Sequence, residues 1–247
     1  MSKFLIAALA CCYAAALPAQ TAEELVAKNL QARGGMEKIK AIRTLRASGK
    51  MQQGSFVARV GEVAEAPNLL RQTFTVQGMT QITAYDGSRG WQISPFGGRK
   101  DAELLGEDDL RGLRERADFY GPLADYQTKD NRIEYLGHDT VDGDDAYRLK
   151  VTLANGDILY YYLDPDTYLE IRIERLQFIR GSVRENFTNL GSYKLVAGVY
   201  FPFSLEVGSA QSPNDTSKVT YDSIEANVPV NGAEFQMPAT TAQGKEL

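Results

Sequence analysis

Residues 147–163, YRLKVTLANGDILYYYL, decide the fold class of this 247-residue chain. The first half alternates apolar and polar side chains, with Leu149 and Val151 on one face of the strand. This period of two predicts an antiparallel β-strand with one face buried and the other in water. Asn155-Gly156 then supplies the positive-φ residues that a tight hairpin turn prefers. The stretch therefore predicts two antiparallel strands joined by a short turn.

The same period of two recurs on both sides of this hairpin. Upstream it runs through three segments between residues 44 and 76, and a further strand pair surrounds Asp86-Gly87. Downstream it continues from residue 169 to residue 226, with a polar loop expected over residues 211–216. About ten or eleven strands in meander order, each with one apolar face, curl into a barrel or half-barrel. We therefore predict an α+β, mainly β fold, a single unclosed antiparallel β-barrel.

Helical spacing replaces the alternation at the start and in the middle of the chain. Residues 21–33 predict a helix with Thr21 as N-cap, and residues 36–42 predict a short second one. Residues 107–120 predict a mid-chain helix with an apolar stripe. A helix that interrupts a meander must bury this stripe, and the open mouth of the barrel is the surface available. The helices are thus expected to act as a lid, with lid residues Leu110, Leu113, Ala117 and Tyr120.

Shared parity along each strand predicts which side chains point into the hollow of the barrel. The expected ligand-binding residues of this hydrophobic cavity are Leu45, Met51, Leu70, Phe74, Trp91, Leu149, Val151, Leu169, Ile171 and Ile173. A hollow of this kind suits acyl chains, which need apolar volume and reversible closure but no reacting group.

The N-terminal segment has the order of a secretion signal. Lys3 precedes an apolar run over residues 4–17, which Pro18-Ala19 ends. Because the run is short for a membrane span, cleavage near Ala19 and a mature protein outside the cytoplasm are expected. Two alternatives stay open, an uncleaved anchor and lipid modification at Cys11 or Cys12.

The rest of the chain shows no linker, sequence repeat or low-complexity segment. Residues 1–19 are therefore expected to be the signal peptide, and residues 20–247 a single domain with a flexible tail over residues 239–247. Both cysteines lie within the signal segment, so the core rather than a disulfide is expected to stabilise the mature fold.

Charge and residue content exclude several classes of function. The chain has 27 Lys+Arg and 32 Asp+Glu, a net charge of −5, which disfavours nucleic acid as a partner. A single histidine, His138, leaves little for a Ser-His-Asp site or a zinc site. The aspartates around Gly143 lack the spacing of a calcium loop and fit a solvated turn. We expect no catalytic residues, no metal and no cofactor, and therefore a binding protein rather than an enzyme.

Short motifs along the chain resemble those of the LolA-like periplasmic carriers, which sort outer-membrane lipoproteins in Gram-negative bacteria. The most specific is Tyr85-Asp86-Gly87 followed by Trp91 and Pro95. The others are Thr21-Ala22-Glu23-Glu24-Leu25 with Gly34-Gly35, Ala66-Pro67-Asn68-Leu69-Leu70, Tyr161-Tyr162-Leu163-Asp164, Val199-Tyr200-Phe201-Pro202 and Phe235-Gln236-Met237-Pro238. The resemblance implies an unclosed barrel with a helical lid, whose hollow takes the acyl chains of a lipoprotein.

The resemblance also implies a biological setting. A carrier of this family moves lipoproteins through the periplasm toward the outer membrane, between an inner-membrane donor protein and an outer-membrane acceptor protein, and we expect a monomer. An alternative on the same fold is a periplasmic sensor or assembly module that binds a protein partner. One position departs from the family, because Ala66 stands where well-studied carriers have an Arg that helps to gate the lid. This departure favours a more general lipid carrier.

Overall fold

The computed structural model describes residues 20–98, 100–179 and 181–239. The predicted signal peptide, residues 1–19, lies outside the described residues, and so do residues 240–247 of the predicted tail. Within the described ranges no helix is both long and apolar enough to cross a bilayer.

Helices and a single antiparallel sheet make up the described part of the chain. The helices are α1 (Ala22–Arg33), α2 (Met36–Ala41) and α3 (Glu107–Ala117). The first half of the sheet, named here the first wing, comprises β1 (Thr44–Gln53), β2 (Phe56–Glu65), β3 (Leu69–Val76), β4 (Met79–Tyr85), β5 (Gly90–Ile93) and β6 (Glu103–Leu104). The second wing comprises β7 (Arg132–Val141), β8 (Asp144–Thr152), β9 (Ile158–Leu163), β10 (Glu170–Ile179), β11 (Ser182–Val196), β12 (Val199–Ser209) and β13 (Ser212–Ala226).

The order of the strands leaves the barrel open. β1 pairs with β2 on one side and with β13 on the other, so it joins the two wings. In the described part of the chain the sheet has thirteen strands, and β6 and β7 are its two edges. The predicted fold class, a mainly β unclosed barrel with a few helices, is therefore confirmed.

The sheet has more strands than the sequence pattern indicated. β6 is only two residues long, too short to show a pattern of its own, and it is recognised by its pairing with β5. The polar loop predicted over residues 211–216 is wrong, since β13 already begins at Ser212. Its first residues are exposed, so they form a strand without the apolar face that the sequence analysis required.

The connection between the two edges of the sheet has to cross the mouth of the half-barrel. The chain leaves the first wing at β6 and enters the second wing at β7, and α3 with residues 118–131 lies between them. The order of the strands thus places this helix over the hollow.

The start and the end of α1 follow from its sequence. Thr21 is the N-cap as predicted, because its hydroxyl accepts a hydrogen bond from the Glu24 N–H at 3.2 Å, and the Glu24 carboxylate accepts one from the Thr21 N–H at 3.2 Å. Gly34 ends the helix at a φ of 135°. A Cβ at Gly34 would lie 2.3 Å from the Gly198 carbonyl oxygen, so glycine is also required for the contact between α1 and the β11–β12 turn.

The main core lies between α1 and the concave face of the second wing. We name this concave face, together with its continuation on the first wing, the inner face. Leu25, Val26 and Leu30 of α1 are buried against this face. The strand residues below them are Leu149, Val151, Leu159, Tyr161 and Leu163. The predicted hairpin around Asn155-Gly156 therefore supplies the centre of the core.

The opposite, outer face of the first wing is covered by the C-terminal segment. Phe235 is fully buried, and its backbone carbonyl accepts a hydrogen bond from the Trp91 indole N–H at 2.8 Å. Arg46 on β1 also pairs with Glu234 at 3.4 Å. Both faces of this wing are thus partly apolar, which hides the direction of individual side chains from a sequence reading.

Candidate functional site

The helix α3 is a lid that packs by apolar contacts on the first wing. Its side chains Leu110, Leu113 and Ala117 are buried, with Leu113 fully so. They form one cluster with Ala64, Leu70 and Tyr85 of β2, β3 and β4. These three side chains share one side of α3 because positions three and four apart lie on the same side of a helix.

A glycine allows the lid to approach β5. A Cβ added at Gly90 would lie 2.7 Å from Leu110 Cδ1 and 3.1 Å from Leu113 Cδ2. A side chain at position 90 would press on these two leucines, so the close contact between lid and first wing depends on this position.

Two charged pairs hold the same helix to the second wing, and we name them the latch. Arg175 Nε on β10 donates to Glu115 Oε2 at 2.8 Å, and Arg111 Nε donates to Asp157 Oδ2 at 2.7 Å. The carboxylates of Glu115 and Asp157 are almost fully buried. Loss of water alone would lower the pKa of Arg175, but the hydrogen bond and the charge of Glu115 outweigh it and raise that pKa. The latch therefore consists of charged, hydrogen-bonded pairs.

The inner face of the second wing is not open to a ligand. α1, α2 and the segment after the lid, through Leu123 and Ala124, fill this side of the half-barrel. Near the end of the lid a smaller cavity of about 220 Å³ remains, but polar groups bridge it. There the Tyr193 hydroxyl donates to the Glu170 backbone oxygen at 2.8 Å. A further cavity of about 320 Å³ lies between α1 and residues 123–128, away from the lid helix. The cavity on the inner face beside the lid is the one on the first wing.

The first wing has an open cavity of about 330 Å³ beside the lid. We name it the first-wing cavity, and its lining residues are Val60, Gly61, Glu62, Gln72, Thr73, Phe74, Gln81, Thr83, Val219 and Tyr221. This volume is at the lower end of the range for pockets that take small molecules. It would grow if the lid rose, because the surface under the lid continues the same inner face.

One acidic side chain lies on the floor of this cavity. Gln72 Nε2 donates to Glu62 Oε2 at 2.9 Å, across the β2–β3 pair. Burial raises the pKa of Glu62, against the opposing effects of the Gln72 hydrogen bond and of the charge on Arg116. The floor is therefore polar, although the two ends of the inner face are apolar.

A lid arginine faces this carboxylate from above. Loss of water, followed by repulsion from Arg175, lowers the pKa of Arg116, and the charges of Glu115 and Glu62 oppose this. Among the residues that the structure describes, Arg116 makes no ion pair or hydrogen bond, and much of its side chain remains exposed. It therefore interacts with Glu62 through space rather than by contact.

Three aromatic side chains cluster where the cavity meets solvent, and we name Phe56, Phe74 and Phe96 the aromatic rim. The rings of Phe56 and Phe74 are stacked with centroids 6.2 Å apart, and Phe96 meets Phe74 edge to face at 6.1 Å. Phe56 is 42% exposed and Phe96 is 43% exposed. Because Phe74 belongs to both the rim and the cavity lining, the apolar surface is continuous from the cavity to solvent.

Most residues predicted for the hollow do face the inner side, but few of them line open space. Those on the inner face are Leu45, Met51, Leu70 and Phe74 of the first wing, and Leu149, Val151 and Ile173 of the second. Phe74 lines the first-wing cavity, whereas Leu70 lies under the lid. Leu149 and Val151 are sealed below α1.

Two of the predicted cavity residues lie on the outer face, and a third precedes its strand. Trp91 is paired opposite Ala84, one position out of phase with Tyr85, and so lies on the outer face under Phe235. Ile171 packs against an outer-face cluster of Val141, Ala146 and Tyr162, because the register shift between Glu170 and Arg172 reverses its side. Leu169 precedes β10, and its carbonyl accepts a turn hydrogen bond from Asp164.

One predicted lid residue lies beyond the helix. α3 ends at Ala117, because Asp118 already has extended dihedral angles. Tyr120 instead packs against the main core. Its hydroxyl donates to the carbonyl oxygen of Ile42, just after α2, at 3.3 Å. Leu110, Leu113 and Ala117 remain as the lid contacts with the first wing.

The polar group at the cavity was missed by the sequence analysis. Glu62 follows Ala58 and Val60 at a spacing of two and precedes Ala64, so it is a carboxylate on an apolar strand face. That signal was present in the sequence. Arg116 gave no comparable signal, since it lies among several charged residues that flank the apolar stripe of its helix.

The comparisons with known proteins concern the fold. The sequence matches no family model and no curated protein. A LolA superfamily protein from Nitrosomonas europaea has a TM-score of 0.60 and 13% identity over 88% of this chain and 98% of its own. A DUF1329 family protein from Desulfovibrio piger has a TM-score of 0.59 and 11% identity, over 87% and 97%. A domain from Vibrio parahaemolyticus described as an outer membrane lipoprotein-sorting protein has a TM-score of 0.55 and 11% identity, over 85% and 97%. The resemblance predicted from the sequence motifs is thus confirmed at the level of structure, and this chain has the LolA-like fold.

Proposed function

We propose that the protein is a periplasmic carrier that binds the acyl chains of lipoproteins or other lipids in its hollow and moves them toward the outer membrane. One observation carries this proposal. The apolar stripe of α3 covers an inner face that continues into an open cavity and an aromatic rim. Lid and acyl chain therefore compete for the same surface, which allows cargo to enter and leave without any catalytic group.

The free energies of apolar burial favour a reversible exchange between the lid helix and an acyl chain. Burial of Leu110 and Leu113 stabilises the closed lid by about 2 kcal/mol each. An acyl chain gains about 0.8 kcal/mol for each methylene that it buries, so about five methylenes balance the two leucines. A longer chain raises the lid, whereas a protein that extracts the chain lets the lid close again.

The latch suggests how the lid moves in this chain. Because Ala66 stands where the resemblance implies a gating Arg, another contact has to hold the helix. Glu115 with Arg175 and Arg111 with Asp157 bind it to the second wing. We expect the lid to leave the first wing first, while the latch keeps it tethered to the second.

Location and partners follow from the same proposal. A signal peptide over residues 1–19 would deliver the protein to the periplasm, where inner-membrane donor and outer-membrane acceptor proteins would load and unload it. The LolA-like fold and the lipoprotein-sorting description of the Vibrio parahaemolyticus structure support this setting.

The test is whether the protein carries lipid. The mature chain is purified from the periplasm without detergent, and native mass spectrometry is followed by lipid extraction. We expect an adduct of lipid mass in a defined ratio to protein. An empty hollow that also takes up no lipid from vesicles would contradict the carrier proposal and favour the partner-binding module.

A further inference from the structure

The charge of the first-wing cavity is unusual for a site that takes acyl chains. Its described lining residues include Glu62 but no Lys or Arg. The other polar lining residues are neutral, namely Gln72, Thr73, Gln81, Thr83 and Tyr221. Arg116 faces Glu62 from the lid and so withdraws when the lid rises. An opened cavity therefore presents one carboxylate and several neutral hydrogen-bonding groups.

The carboxylate has hydrogen-bonding capacity to spare. Gln72 occupies Oε2 of Glu62, and within the described residues Oε1 accepts no hydrogen bond. Glu62 is half-buried and has a single neutral donor, so a further donor brought by a ligand would stabilise its ionised form. A ligand that brought a second negative charge to the same place would be repelled.

The aromatic rim indicates how an acyl lipid would lie. Phe74 lines the cavity and contacts Phe56 and Phe96, which are exposed at the strand ends. A chain that follows this surface leads from the polar floor to the rim, so its polar end is brought beside Glu62 and its methylenes lie along the rings.

Resting on the proposed carrier function, we infer that Glu62 selects the head group, so that the first-wing cavity takes acyl lipids whose head donates hydrogen bonds, through hydroxyl, amide or ammonium groups, in preference to free fatty acids. Glu62 accepts from the head group, and the aromatic rim binds the chain whatever its head. The rim thus supplies affinity, and the carboxylate supplies specificity.

The experiment compares single-chain probes of equal length by competition against an environment-sensitive dye. The pH is set above the pKa of Glu62, which burial raises, so that this side chain is ionised. The probes are a monoacylglycerol, a primary alkyl amide, an alkyl amine and a fatty acid. For the wild type we expect the three donor heads to bind about tenfold more tightly than the fatty acid, the effect of one hydrogen bond to a charged group. This comparison requires no variant. A fatty acid that bound as tightly as the amide would overturn the inference.

The variant Glu62→Gln keeps the size of the side chain and removes its charge. We expect the fatty acid to gain affinity and the amine to lose more than the monoacylglycerol, so that the heads bind within about threefold of each other. The control Glu225→Gln removes the same charge from an exposed position on the outer face of β13 and should leave the order of affinities unchanged. If Glu62→Gln keeps the wild-type order while folded by circular dichroism, the inference is wrong.

The outcomes distinguish a failure of the role of Glu62 from a failure of the carrier function. Probes that all bind with equal affinity would refute the role of Glu62 and leave the carrier proposal standing. A wild-type protein that binds none of the four probes would contradict the carrier proposal itself.

Discussion

Replacing Leu113 with Asp tests whether the lid competes with cargo. Leu113 is fully buried between α3 and the first wing, beside Gly90. The change removes about 2 kcal/mol of apolar burial and would place a carboxylate in the cluster of Ala64, Leu70 and Tyr85. Because the ionised group avoids this environment, the helix is expected to rise from the first wing. The latch lies on the other side of the helix and remains intact.

The expected size of the effect follows from the cost of opening. If the wild-type lid must break the Leu113 contact before cargo binds, removing about 2 kcal/mol of closing energy raises the apparent affinity by up to about thirtyfold. The assay is titration with an uncharged fluorescent lipid, together with hydrogen exchange of residues 107–117 and far-ultraviolet circular dichroism. We expect faster exchange in the helix, tighter lipid binding and unchanged sheet content.

A matched control separates this effect from a general change in charge. Leu195 lies on β11 and is 60% exposed, so Leu195→Asp introduces the same side chain without disturbing a packed contact. Its lipid affinity should equal that of the wild type. If Leu113→Asp shows a displaced helix but wild-type lipid affinity, the helix is ordinary packing and the competition mechanism is refuted.

Three further perturbations test the latch, the approach of the lid and the buried carboxylate. Arg175→Gln leaves Glu115 buried without its cation and should lower the free energy of unfolding by about 3 kcal/mol, and the double variant with Glu115→Gln should regain part of that loss in urea titrations; a fully additive loss would show that the pair is uncoupled. Gly90→Ala should displace the lid without a charge and raise the affinity for the uncharged lipid, as Leu113→Asp does; an unchanged affinity with the helix displaced would again argue against competition. Burial raises the pKa of Glu62 against Gln72 and Arg116, so the folded state holds this proton more tightly than the unfolded state, and its contribution to stability falls as pH rises above the ordinary value of 4.5. The advantage of Glu62→Gln over the wild type in urea should therefore increase as pH rises above 4.5 and level off once pH exceeds the folded-state pKa of Glu62, whereas a constant difference would contradict the raised pKa.

The strand pattern and the lid helix could be predicted because each has a local cause. Asn155-Gly156 specifies a turn, and the residues before it alternate with the period of a half-buried strand. The stripe of Leu110, Leu113 and Ala117 has the period of a helix. These signals need no knowledge of distant contacts, and the structure contains the strands, turn and helix that they indicate.

The direction of some side chains could not be predicted, because a second apolar layer covers the outer face. Trp91 is apolar and buried, but Phe235 rather than the lid covers it. At Ile171 the register shift in β10 reverses the parity that the sequence pattern implied. Apolarity reports that a residue is buried, and only the full pairing of the strands reports on which face.

The head-group selectivity proposed for the first-wing cavity depends on a polar residue, Glu62, rather than on apolar ones. Glu62 shares its strand face with Val60 and Ala64, so the sequence contained the signal. Its hydrogen bond to Gln72 arises from the pairing of β2 with β3, and its interaction with Arg116 depends on the placement of the lid. Neither relation is local in the sequence, which is why the sequence analysis predicted a uniformly hydrophobic hollow.

The position of α3 between the two edges of the sheet has a consequence for kinetics. The helix is covalently attached at both ends, by residues 105–106 to β6 and by residues 118–131 to β7. In the proposed carrier it would therefore be a tethered competitor for the lipid-binding surface, present at an effective concentration in the millimolar range for short connections, however dilute the protein is. Free lipid at low concentration will be excluded, and loading will require delivery at high local concentration from a membrane or a donor protein. Unloading to an acceptor protein would be assisted, because the tethered helix occupies the surface as the cargo leaves it.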